Sequence, residues 1–114
     1  MSEFSVVITT VDQSDLARKM ADCLVESSLA ACVQIHGPIF SVYRWQGQIQ
    51  HSDEWVCWVK TRTDLAPALM ELIKKIHGYE VPQIVSFPLQ SAADSYAQWL
   101  RDVTLPLEES SHGH

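Results

Sequence analysis

No run of apolar residues in this 114-residue chain approaches the roughly 20 that a membrane-crossing helix needs, so a spanning helix is not expected. Basic residues are scarce too: 8 Lys and Arg stand against 14 Asp and Glu, a formal net charge of −6. Neutralising a phosphate backbone needs a basic face, so no nucleic-acid partner is expected. Anionic membranes exert no pull on such a chain. Cysteine is sparse, odd in number and free of CxxC spacing, which excludes a disulfide framework. Cys23, Cys32 and Cys57 read as packed thiols in a reducing compartment. The opening "MSEFSVVITT" has no basic lead and too short an apolar run for a secretory signal, so a cytoplasmic location is expected. There is no internal repeat, phosphate loop, HExxH motif or nucleophile–base spacing, and no enzymatic activity is expected.

What is present is a regular succession of periodic segments. "FSVVITTV", Phe4 to Val11, is a β-branched run of strand length, and its continuity suggests cover on both faces. Asp12 or Ser14 is positioned to cap a helix over residues 14–30, with Leu16, Met20, Cys23 and Leu24 on its apolar side. Strand-forming residues return over 31–45, interrupted by Gly37-Pro38, which marks a bend or bulge. Gln46-Gly47 forms a two-residue hairpin turn into a strand over 48–61. Thr63 or Asp64 caps a second helix carrying Leu65, Leu69, Leu72, Ile73 and Ile76, and Gly78 supplies a left-handed stop after His77. "PQIVSFPL" is a fourth strand. Ser91 to Asp94 reads as a capping box for a short last helix with Tyr96, Trp99 and Leu100. Residues 1–104 make one domain, and 105–114, "LPLEESSHGH", a flexible polar tail.

The order β-α-β-β-α-β folds most simply as an α+β, ferredoxin-like (βαββαβ) sandwich, two helices on one face of a four-stranded antiparallel sheet. The second and third strands are long for so small a domain. Fourteen residues extended span roughly 45 Å, whereas a compact chain of this size has a radius of gyration near ~13 Å. The β2–β3 hairpin must therefore protrude. On its returning strand Glu54, Val56, Trp58 and Lys60 share one face, and Trp55, Cys57, Val59 and Thr61 the other. Large apolar groups on both faces of a projecting strand pair call for cover by another chain. Self-association is the expectation.

Several motifs in order resemble one family: "AACV" at 30–33, "YRWQG" at 43–47, Glu54, "VKT" at 59–61, "HGYEVPQIV" at 77–85 and "YAQWL" at 96–100. Together they are similar to the CutA divalent-cation tolerance proteins, over about Phe4 to Arg101. The resemblance implies a homotrimer, PII-like in architecture, whose hairpins wrap neighbouring subunits. It also implies a role in tolerance to copper and similar divalent cations. A metal ion or a small ligand would be bound, and no other cofactor.

On that resemblance, Tyr43, Trp45, Glu54, Lys60, Tyr79 and Pro82 border a cleft between subunits, with His77 a candidate metal ligand. The family's first-strand cysteine falls on Thr9, so a soft Cu(I) site built on it is not available. The favoured reading of His77 is the plainer one, a histidine held at a helix C-terminus by the macrodipole. Glu54 and Lys60 stand six residues apart on one strand, roughly 20 Å, and cannot pair within it. The cleft reads either as an ion or ligand pocket or as an interfacial salt-bridge network. Two other functions remain in competition: a scaffolding or signalling trimer with no metal-specific role, and an enzyme using the inter-subunit cleft.

Overall fold

Apolar periodicity dictates the elements, and the structure, a computed structural model, describes residues 2–106. They form β1 (Phe4–Val11), α1 (Ser14–Glu26), β2 (Cys32–Trp45), β3 (Gln48–Arg62), a 3-10 turn at Thr63–Leu65, α2 (Ala66–Ile76), β4 (Ile84–Leu89) and α3 (Asp94–Val103). All neighbours in the sheet are antiparallel, in the order β2-β3-β1-β4. This is the ferredoxin-like α+β sandwich.

Two helices cover one sheet face because each has a narrow apolar stripe. Ala17, Met20 and Leu24 of α1, and Ala66, Leu69 and Ile73 of α2, pack on Val7, Val11, Cys57 and Val59. On the opposite face α3 covers only one end, where Ala97 and Leu100 meet Phe4 and Ala31. Beyond it, Trp58, Val85 and Phe87 stay 39%, 37% and 51% exposed. Cross-strand pairs place Ile8 between Trp58 and Val85 on this same uncovered face.

The β2–β3 arm is as long as the sequence demands. Its strands run 14 and 15 residues and draw the molecule out to 53 × 28 × 26 Å. At its tip Gln46 and Gly47 take φ of 51° and 77°, the paired left-handed residues of a type I′ turn, and Trp45 faces Gln48 across it. At its root the register shifts between His36 and Ile39, with Gly37-Pro38 as the bulge. Gly37 is required there: a Cβ would stand 2.7 Å from Trp55 Cδ1 and 2.8 Å from the Glu54 carbonyl oxygen.

Local signals misled where tertiary contacts claimed the same side chains. Neither Asp12 nor Ser14 caps α1; Gln13 occupies that position and no side chain bonds the end. Thr63 and Asp64 do not cap α2 either. The Thr63 hydroxyl pairs with Ser5 at 2.8 Å, and the Asp64 carboxylate takes the Arg62 guanidinium at 2.8 and 2.9 Å. Gly78 is not left-handed. The helix ends because His77 turns extended, at φ −63° and ψ 142°, to place its ring against β1. Left-handed backbone appears instead at Ser28, φ 63°, closing α1 short of Ala30. The expected capping box does not form at α3, whose N-cap is Ala93.

Cys23 is exposed rather than packed, since it precedes buried Leu24 by one residue, about 100° around the helix. Cys57 lies in the core, and burial pushes its thiol up to about 11. Leu105, at the start of the expected tail, donates its N–H to the Ser28 carbonyl at 2.9 Å and accepts from Arg62. The rest of that tail, from residue 107 on, lies outside the described residues.

Candidate functional site: a cleft at the root of the arm

The bulge sets which side chains face the cleft. Strand alternation puts Cys32, Gln34 and His36, the even positions of β2, on the side of Lys60, Trp58 and Val56. One extra residue at Gly37-Pro38 reverses the parity, so that Ile39, Ser41, Tyr43 and Trp45 continue that same side opposite Glu54, Ser52, Gln50 and Gln48. Without the bulge, Tyr43 and Trp45 would face away from Glu54.

The segment between α2 and β4 closes the other wall, and β1 holds it in place. The Thr9 hydroxyl donates to the Gln83 carbonyl at 2.7 Å. His77 Nε2 meets the Thr10 carbonyl at 2.8 Å, while its Nδ1 accepts the Tyr79 backbone N–H at 3.2 Å. A ring nitrogen that accepts is unprotonated, so the tautomer is fixed with the proton on Nε2. The His77 and Tyr79 rings stand 4.8 Å apart, and the Tyr79 hydroxyl then donates to Glu54 Oε2 at 2.6 Å. Burial first, and the Glu54 carboxylate second, hold the Tyr79 phenol above its ordinary pKa.

The result is a cleft of about 550 Å³. Thr10 of β1, Ser41 to Trp45 of β2, Glu54 of β3, and Tyr79, Val81 and Gln83 of the closing segment line it. Glu54 is only 6% exposed. Of the residues picked out from sequence, Tyr43, Trp45, Glu54 and Tyr79 come together here. Lys60 does not reach the lining; its ammonium bonds the Gln34 side-chain oxygen farther along the open face. His77 stands behind Tyr79 with both nitrogens engaged, and Pro82 is outside the lining. Thr10, Ser41, Val42, Arg44, Val81 and Gln83 were missed; the Gly37-Pro38 parity change was the signal that would have placed Ser41.

The model of the family described as "CutA1 divalent ion tolerance protein" matches residues 5–103. The chain belongs to the CutA1 divalent ion tolerance family. It is 43% identical over 99 residues to the divalent-cation tolerance protein CutA of Thermus thermophilus, covering 87% of this chain and 96% of that one. It is 37% identical over 99 residues to the chloroplastic Protein CutA of Arabidopsis thaliana, covering 87% of this chain and 54% of the plant protein, so it spans about half of that relative. The crystal structure of CutA1 from Oryza sativa superposes with a TM-score of 0.88 at 35% identity, over 91% of this chain and 95% of that one.

Against the cation theme of the CutA1 family, the donor set within one chain is thin. Among the described residues, no group of three or more His, Cys, Asp and Glu is placed to hold a metal. Glu54 is the one carboxylate in the cleft lining, beside the neutral oxygens of Thr10, Ser41, Tyr79 and Gln83. A zinc or copper centre asks for about four nitrogen, sulfur or carboxylate ligands, so these residues alone do not fit one.

Proposed function

We propose that this chain is a divalent-cation tolerance protein that works as a homotrimer of PII-like architecture and binds a metal ion or small ligand in clefts at its subunit boundaries. The observation that carries the reading is the sheet face left bare by α3. Trp58, Val85 and Phe87 are solvent-exposed there, beside an arm of 14- and 15-residue strands that has no second layer of its own. Apolar area of this kind is removed from water most simply by further copies of the chain. Pairing arms across subunits would also bring a second chain's side chains to Glu54, completing a donor set that one chain lacks. Copper is the cation the family resemblance suggests. Thr9 in place of a first-strand cysteine favours a Cu(II) or Zn(II) site of nitrogen and oxygen donors over a Cu(I) thiolate one.

The reading is of binding rather than turnover, in keeping with relatives named for tolerance. A cytoplasmic location is proposed from the three free cysteines, which suit a reducing compartment; a relative named as chloroplastic marks other destinations within the family. Among the described residues, no helix is long and apolar enough to cross a membrane. Calorimetric titration of Cu(II) and Zn(II) into a His112→Ala/His114→Ala variant tests the metal reading without the tail histidines. Saturable binding that Glu54→Gln weakens supports it. Flat titrations with both ions remove the metal from the proposal.

A further inference from the structure

We infer that the cleft is shaped for a protonated amine, a conclusion that rests on the reading of this cleft as a ligand site. Glu54 carries the argument. It is nine-tenths buried, and its Oε2 accepts one hydrogen bond, from the neutral Tyr79 hydroxyl. Among the described residues Oε1 has no hydrogen-bond partner, and the ion pairs formed, Arg62–Asp64 and Arg101–Glu3, leave Glu54 without a cation within 4.0 Å. Among the described residues no buried side-chain oxygen is left without a partner, so Oε1 opens to the cleft and is free to accept a hydrogen bond from a charged ligand there.

The walls decide which cation suits it. A divalent ion needs several charged or imidazole donors, and the chain offers Glu54 alone among neutral oxygens. An ammonium needs one charged acceptor, neutral acceptors for its other protons, and aromatic faces for its charge and alkyl carbons. Glu54, the Ser41 hydroxyl and the Gln83 amide supply the first two, and Tyr43, Trp45 and Tyr79 the third. The volume of about 550 Å³ admits a group the size of a benzyl or lysyl amine. Arg44, exposed on the arm, is the one charge opposing a simple amine, and it favours a ligand carrying an anionic group elsewhere on its body.

Benzylamine, its neutral isostere benzyl alcohol, and lysine as a zwitterionic amine are titrated calorimetrically into the assembled full chain and into Glu54→Gln, with light scattering confirming equal assembly. The inference requires saturable binding of benzylamine or lysine at one per chain, at least tenfold tighter than benzyl alcohol, and weakened at least tenfold by Glu54→Gln. Lysine exceeding benzylamine assigns a role to Arg44. Equal affinity for amine and alcohol, or an unchanged Glu54→Gln, overturns the inference. Flat amine titrations beside saturable Zn(II) or Cu(II) binding overturn the amine while sparing the cleft. Flat titrations with every probe overturn both.

Discussion

Tyr79 donates a 2.6 Å hydrogen bond to Glu54, joining the segment after α2 to the third strand of the sheet. Behind it, His77 links the Tyr79 backbone to the end of β1. The cleft wall is therefore one relay, Thr10 to His77 to Tyr79 to Glu54, in which each polar group fixes the next. Removing an interior link should cost more than removing the charge at its end.

Tyr79→Phe takes away the hydrogen bond that serves the buried carboxylate and is expected to destabilise the protein by about 1–3 kcal/mol. Glu54→Gln keeps an acceptor for Tyr79 and sheds the buried charge, so its cost should be smaller. Urea denaturation of the two variants gives the order directly, and a larger loss for Glu54→Gln would show that the carboxylate has compensation outside this relay.

The bulge is the geometric origin of the cleft, and Gly37 is its least replaceable residue. Gly37→Ala drives a Cβ into the Trp55 ring and the Glu54 carbonyl, an overpacking expected to cost about 1–3 kcal/mol. Gly47→Ala at the arm tip meets nothing within 4 Å and should cost only about 1–2 kcal/mol, for left-handed backbone at φ 77°. Melting curves distinguish them further: the first variant should perturb Trp55 fluorescence, the second should not.

The cysteines separate by exposure. Iodoacetamide followed by mass spectrometry should label exposed Cys23 first and reach Cys57 only as the protein unfolds. Cys57 has a folded pKa of about 11 against an ordinary 9.0. The folded protein keeps that proton while the unfolded chain gives it up, so this contribution is intact below pH 9 and is lost as pH rises toward 11. The loss amounts to about 1.4 kcal/mol per pH unit within that window. Cys57→Ala should show a correspondingly flatter decline of stability above pH 9, and parallel curves would contradict the assignment.

Arg62 is nearly buried and binds Asp64 through Nε and Nη2, while Nη1 donates to the Thr104 hydroxyl at 3.0 Å and to the Leu105 carbonyl. Arg62→Ala should release the end of α3 and cost about 2–4 kcal/mol. Asp64→Asn should cost less, because its carboxyl is half in water. The Arg62 guanidinium holds Asp64 below its ordinary pKa, so its contribution is present above pH 3.8 and is lost on acidification through the lower folded value. Hydrogen exchange of the α3 amides reports the release.

Element order, the long hairpin, its two-residue turn and the Gly37-Pro38 bulge were all legible from residue type, because each is set locally by alternation and by glycine. Helix caps were not. Thr63 and Asp64 have the right chemistry for the start of α2, but Ser5 and Arg62, remote or unremarkable in sequence, outbid the helix for them. Tyr43, Trp45, Glu54 and Tyr79, read as bordering a cleft between subunits, line one cleft within a single chain, whereas Lys60, six residues along the same strand, is outside that lining. The lining residues Thr10 and Gln83 escaped because nothing local marks the place where β1 and the segment before β4 close on the arm.

Light scattering coupled to gel filtration, at micromolar concentration of the full chain, tests the account most directly. A trimer gives a mass about three times the 12.9 kDa of one chain, and Trp58→Glu on the bare face should lower it. A stable monomer at 12.9 kDa would contradict the account, since the apolar face and the arm would then stand in water without a partner.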